Sequence, residues 1–151
     1  MGYYMRYITT DSQPITLSML EVGLQAADMS YRIIDTQIEN TGDLFHGDVV
    51  CGQMEINLPG DGIFEDDIAE LKLLVGTGDS PAEARVRRTL DEAKAIIAVE
   101  AIWQETDSET VLEQIDPLWD WLFDRYDGLL QADNAGFYDR DQLILEMNLK
   151  L

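Results

Sequence analysis

Two five-residue stretches place the same pair of side chains at the same spacing. MEINL at 54–58 carries Glu55 and Asn57, and LEMNL at 145–149 carries Glu146 and Asn148. In extended chain, residues two apart share a face, so each stretch presents a carboxylate beside an amide. If the two strands share a sheet, even as neighbours, Glu55, Asn57, Glu146 and Asn148 form a polar cluster. Paired carboxylates do acid–base work when burial separates their pKa values. On an open sheet the same residues are a solvated face. A covering helix or a second subunit would make this face the leading site.

The stretch LPGDGIFEDD at 58–67 is the next place to look for chemistry. A phosphate loop needs glycines for close backbone approach, followed by a Lys and a Ser or Thr. Here the glycines stand among Asp61, Glu65, Asp66 and Asp67, which repel an anion. A Ca²⁺ loop wants Gly at its sixth position. Counting from Asp61 gives Asp66, and counting from Asp133 gives Tyr138. Asp139 and Asp141 are at most a loose cation site, and no specific metal site is expected. The better reading is a strand–turn–helix joint. Asp61 then caps the helix, and the following acids stand where its dipole favours them.

His46 and Cys51 are the only residues of their types, so neither a multi-histidine nor a thiolate zinc site can form. They lie five apart, which in a strand points them to opposite faces and argues against a nucleophile–base pair. Cys51 reads as a small strand residue. Arg85, Arg87 and Arg88 form the one basic cluster, and Glu83, Asp91 and Glu92 stand at helical spacing to neutralise them. In DPLWDWLFDRY, Trp119 and Trp121 lie about 200° apart on a helix. They cannot both face one core, so they are candidate interface residues. No cofactor motif is present.

The elements that would position these residues follow from periodicity. YYMRYIT at 3–9 reads as a strand. A helix is expected from about Ile15 to Asp28, begun by Asp11-Ser12-Gln13-Pro14. Residues 31–39 and 48–58 read as strands joined by a longer hairpin loop at 40–47. In the second, Val50, Met54, Ile56 and Leu58 face one way, and Gln53, Glu55 and Asn57 the other. A helix spans Ile63 to Val75. Ser80-Pro81-Ala82-Glu83 is a capping box, and the helix it starts is expected to reach Trp103 or Gln104. Another begins at Asp107-Ser108, breaks at Asp116-Pro117 and restarts. The tail reads as one or two short strands.

The expected order is therefore β-α-β-β-α-α-α-β(β). This is an α+β fold: one domain over 1–151, with a mostly antiparallel sheet of 4–5 strands and about four helices packed mainly on one face.

Thirty acidic residues against ten basic ones give a net charge of −20. Such a field repels nucleic-acid phosphates and anionic membranes, so direct binding to either is not expected. One cysteine, no apolar signal-like N-terminal run and no stretch long enough to cross a bilayer point to the cytoplasm. The function expected is that of an accessory or interaction protein, not an enzyme. It would bind a protein partner or itself as a homodimer. The alternatives are a small enzyme or ligand-binding protein using the carboxylate/amide face, and an acidic mimic that blocks a basic nucleic-acid-binding protein.

Overall fold

The computed structural model describes residues 3–103 and 106–147. Among these residues eight strands form one sheet. They are β1 (Tyr3–Thr9), β2 (Tyr31–Asp35), β3 (Thr41–His46), β4 (Val49–Asn57), β5 (Ala95–Ala101), β6 (Gly128–Ala132), β7 (Gly136–Asp139) and β8 (Gln142–Glu146). The order across the sheet is β2-β3-β4-β5-β1-β6-β7-β8, and every neighbouring pair is antiparallel. The helices are α1 (Leu17–Ala27), α2 (Ile63–Val75), α3 (Pro81–Glu92) and α4 (Ser108–Arg125).

The helices cover both faces. Leu20 and Leu24 of α1 and Val111, Ile115, Leu118 and Leu122 of α4 pack on Tyr7, Met54, Ile97 and Val99. On the other side Phe64, Leu71 and Val75 of α2 and Val86 and Leu90 of α3 pack on Ile8, Ile96, Ala98 and Leu129. The central strand β5, AIIAVEA, is accordingly apolar on both faces except at Glu100. A strand covered on both sides loses its alternation.

Mixed α+β architecture matches the expectation, but eight strands replace the expected 4–5, and the helices are not confined to one face. Three differences account for this. The helix capped by Ser80 stops at Glu92, and residues 95–101 are strand, because a short continuous apolar run has the same pattern in either state. TGDLFH, expected to be loop, is the middle strand of a three-stranded meander. Its Gly and Asp lower its strand propensity, but pairing on both sides overrides that. The described part of the tail holds three strands instead of one or two.

Local chemistry differs at two further places. Helix α1 is capped by Thr16, whose hydroxyl accepts from the Met19 amide, and Pro14 precedes the helix. Helix α4 runs unbroken through Pro117, because packing of Ile115, Leu118, Trp119 and Leu122 holds it. The capping box at Ser80 and Glu83 and the Asp107 cap of α4 form as their sequences imply.

Parity along β4 is broken once. Leu44 pairs with Gly52 and Phe45 with Val50, leaving Cys51 as an extra, bulged residue. Beyond the bulge Met54 and Ile56 face α1 and α4, while Gln53, Glu55 and Asn57 belong to the α2 side.

Candidate functional site

The PGDG joint is a helix start. One Asp61 oxygen accepts from the Phe64 amide at 2.7 Å and the other from the Leu58 amide at 2.9 Å. The Glu65 carboxylate accepts from the amides of Gly60 and Gly62. Those bonds hold the Glu65 carboxyl below its ordinary range, with the Gly60 amide acting most strongly. All the polar groups named here satisfy one another, so the stretch serves to set where α2 begins on the sheet.

What α2 leaves uncovered is a trough of about 260 Å³ over β4, β5 and β1. Sheet register builds it. Ala98 of β5 pairs with Glu55 of β4 on one side and Arg6 of β1 on the other. One step along the same face, Glu100 pairs with Gln53 and with Tyr4. Glu55 and Glu100 are thus diagonal neighbours on adjacent strands, and the small Ala98 leaves space between them. Ile38, from the β2–β3 loop, and Ile63, the first residue of α2, supply apolar walls.

The carboxylates are electrostatically unbalanced. Burial pushes the Glu55 carboxyl above its ordinary range, and the nearby Asp67 and Asp61 push it further. Neither Glu55 nor Glu100 forms an ion pair among the described residues. The Tyr4 hydroxyl lies beside Glu100, whose charge adds to burial, the main reason the Tyr4 pKa rises. Arg6 offsets part of this push on Glu55 but makes its direct contacts elsewhere. Arg6 stacks 5.1 Å from the centroid of the Tyr4 ring and reaches Asp67 at 3.5 Å, Asp133 at 3.4 Å and the Gln131 carbonyl oxygen at 2.9 Å.

The four residues of the carboxylate/amide echo do not meet. Strands β4 and β8 share the sheet but stand five steps apart, which is about 24 Å. Glu146 lies on the outer strand β8, and Asn148 lies outside the described residues. Asn57 is buried at 3% exposure, and its side-chain nitrogen has no hydrogen-bond partner among the described residues. Of the four, only Glu55 belongs to the trough.

Tyr4 and Glu100 were missed by sequence reasoning, yet Glu100 had a signal. It is the one charged residue in the seven-residue apolar strand AIIAVEA. A charge placed there faces something that tolerates it.

The remaining expectations resolve as follows. Cys51 is buried, bonds the Leu44 carbonyl and has its thiol pushed up to about 11 by burial. His46 instead pairs with Asp28 at 2.9 Å. No group of three potential metal ligands occurs among the described residues. The arginines of α3 are not neutralised within their helix. Arg85 pairs with Asp139 at 2.8 Å and Arg87 bonds the Gly76 carbonyl, while Asp91 is held by Lys72. Trp119 is core, at 4% exposure. Trp121 is half-buried, stacked under the Arg125 guanidinium and packed against Gly23 of α1.

No protein-family model, curated protein or solved structure matches the chain. Among the described residues no helix is long and apolar enough to cross a membrane.

Proposed function

We propose that the protein acts by binding, and that the trough receives a lysine or arginine side chain presented by a protein partner. The observation that carries this reading is the diagonal pair Glu55 and Glu100, half-buried and in no ion pair among the described residues. Two like charges on one sheet face oppose folding unless something supplies the counter-charge. A Lys or Arg head supplies it, and the Ile38 and Ile63 walls match the methylene stem of such a side chain. The net charge of −20 steers a basic partner toward the surface, and the trough then selects the side chain that docks. An acidic mimic of nucleic acid needs its carboxylates gathered on one surface. Here grooves around both helix layers carry them, which favours the narrower reading.

The test is capture from a native extract at low salt, comparing the wild-type protein with an E55Q/E100Q double variant. A partner retained by the wild type should be lost from the variant, and a lysine- or arginine-rich peptide should compete it off. Equal retention by both proteins overturns the reading, since 28 acidic residues would remain after subtracting two from 30.

A further inference from the structure

One row of residues crosses four strands on the α2 side of the sheet. Gln131 of β6 pairs with Arg6 of β1, Arg6 pairs with Ala98 of β5, and Ala98 pairs with Glu55 of β4. Paired residues on neighbouring strands share a face. Arg6 therefore has two directions open to it. Toward β6 it meets Gln131. Toward β4 it meets Glu55 across two strand spacings, or about 10 Å, with only the small Ala98 between them in that row. A long arginine stem and a glutamate leaning toward each other close such a gap.

Arg6 leans toward β6. Its guanidinium donates to the Gln131 side-chain oxygen at 2.9 Å and reaches Asp133 at 3.4 Å and Asp67 at 3.5 Å. With those three residues it lines a cavity of about 250 Å³ and stands outside the lining of the trough. The acceptors are themselves fixed. One Asp133 oxygen accepts from the Tyr4 amide and the other from the Gln131 side-chain nitrogen, and Gln131 is buried. Asp67 serves both directions. It contacts Arg6, and after burial it is the group that acts most on Glu55. Gln131 and Asp133 therefore decide which way Arg6 points.

We infer that Gln131 and Asp133 are positioning residues for the trough: they hold Arg6 on the β6 side, away from Glu55, and so keep the chain from filling its own binding site. This rests on the trough being a receptor for a basic side chain. Without the two residues, Arg6 turns across Ala98, keeps Asp67 and gains Glu55. The protein's own cation then occupies the place of the guest. The same hold lowers repulsion of an incoming lysine, because Arg6 stays paired with two carboxylates.

The test follows the Glu55 side-chain carboxyl by carbon NMR as pH is varied, with no ligand present. The groups that act most on Glu55 are Asp67, Asp61, Arg6 and Glu100, and Asp133 is not among them. A change on replacing Asp133 therefore comes through Arg6. In Q131L/D133N the Glu55 titration should move down by about one pH unit, since an arginine at bonding distance favours the carboxylate. D133N alone keeps an oxygen for the Tyr4 amide and should move it the same way by less. In the R6Q background neither change should appear: R6Q/D133N should titrate like R6Q. An unmoved Glu55 in D133N and in Q131L/D133N overturns the inference, as does an equal fall in the R6Q background. A short lysine-containing peptide then separates the two readings. Q131L/D133N should bind it about tenfold more weakly than wild type, and R6Q/Q131L/D133N should regain the loss. If Glu55 moves as expected but the wild type binds no such peptide, the trough is not a receptor, while the hold on Arg6 is upheld.

Discussion

Replacing Glu55 by Gln should stabilise the free protein at neutral pH. The Glu55 carboxylate makes no ion pair with a described residue, so the substitution removes the burial cost and the repulsion from Asp67, Asp61 and Glu100, against a smaller attraction to Arg6, without removing a bond seen in the fold. Glu55 and Glu100 are diagonal on adjacent strands, with a separation of about 7 Å. Coulomb's law gives about 0.6 kcal/mol for this pair in a water-like medium and about 2.4 kcal/mol at an effective dielectric of 20. A half-open trough lies between these limits, so the expected gain is about 1 kcal/mol, or roughly 2–4 °C in Tm for a chain of this size. The sign reverses the usual acidic pattern. A carboxyl whose folded pKa is raised holds its proton more tightly in the folded state. Its contribution therefore favours folding below the ordinary Glu range and is lost as pH rises through the raised value. The E55Q gain should accordingly be present at pH 7 and vanish by about pH 4, where wild-type Glu55 is itself protonated. Urea unfolding of both proteins across that range measures it. If E55Q is less stable than wild type at pH 7, burial and the summed repulsion of Asp67, Asp61 and Glu100 are not what govern the trough.

Further substitutions check the fold that positions the site. Gly23→Ala should cost roughly 1–3 kcal/mol and change the tryptophan fluorescence, because the added Cβ meets the Trp121 ring. Val99→Ala, in the doubly covered central strand, should cost about 2 kcal/mol or more in chemical denaturation. Ser80→Ala should cost about 1 kcal/mol by removing the bond to the Glu83 amide. Cys51 should resist thiol reagents at pH 8 until denaturant is added, since burial keeps it protonated; rapid labelling of the native protein would contradict its place in the core.

Where local signals were strong, sequence and structure agree. Ser80 and Glu83, Asp107, and the alternation around Met54, Glu55 and Ile56 all read through to the elements they imply. What was hidden depended on long-range packing. AIIAVEA has the composition of a buried helix and becomes a strand because β4 and β1 flank it and helices cover both faces. Pro117 would end an isolated helix, but four neighbouring side chains are anchored in the core. The site shows the same division. Glu55 was visible from the polarity of its strand, but its partner was not the distant Glu146. That partner is Glu100, on a stretch whose apolar run reads equally well as helix, and Tyr4 lies beside Glu100 on β1. Sequence echo carried no information about adjacency, because strand order is set by crossovers that a pentapeptide does not encode.

The most direct test of the central claim is a titration of the isotope-labelled protein with a short lysine-containing peptide, followed by backbone amide NMR shifts. The account predicts saturable shifts centred on Tyr4, Ala98 and Glu100, with affinity weakened about tenfold, or ~1.4 kcal/mol, in E55Q and further in E55Q/E100Q. Shifts scattered over the whole acidic surface, unsaturated and unchanged in the double variant, would contradict it.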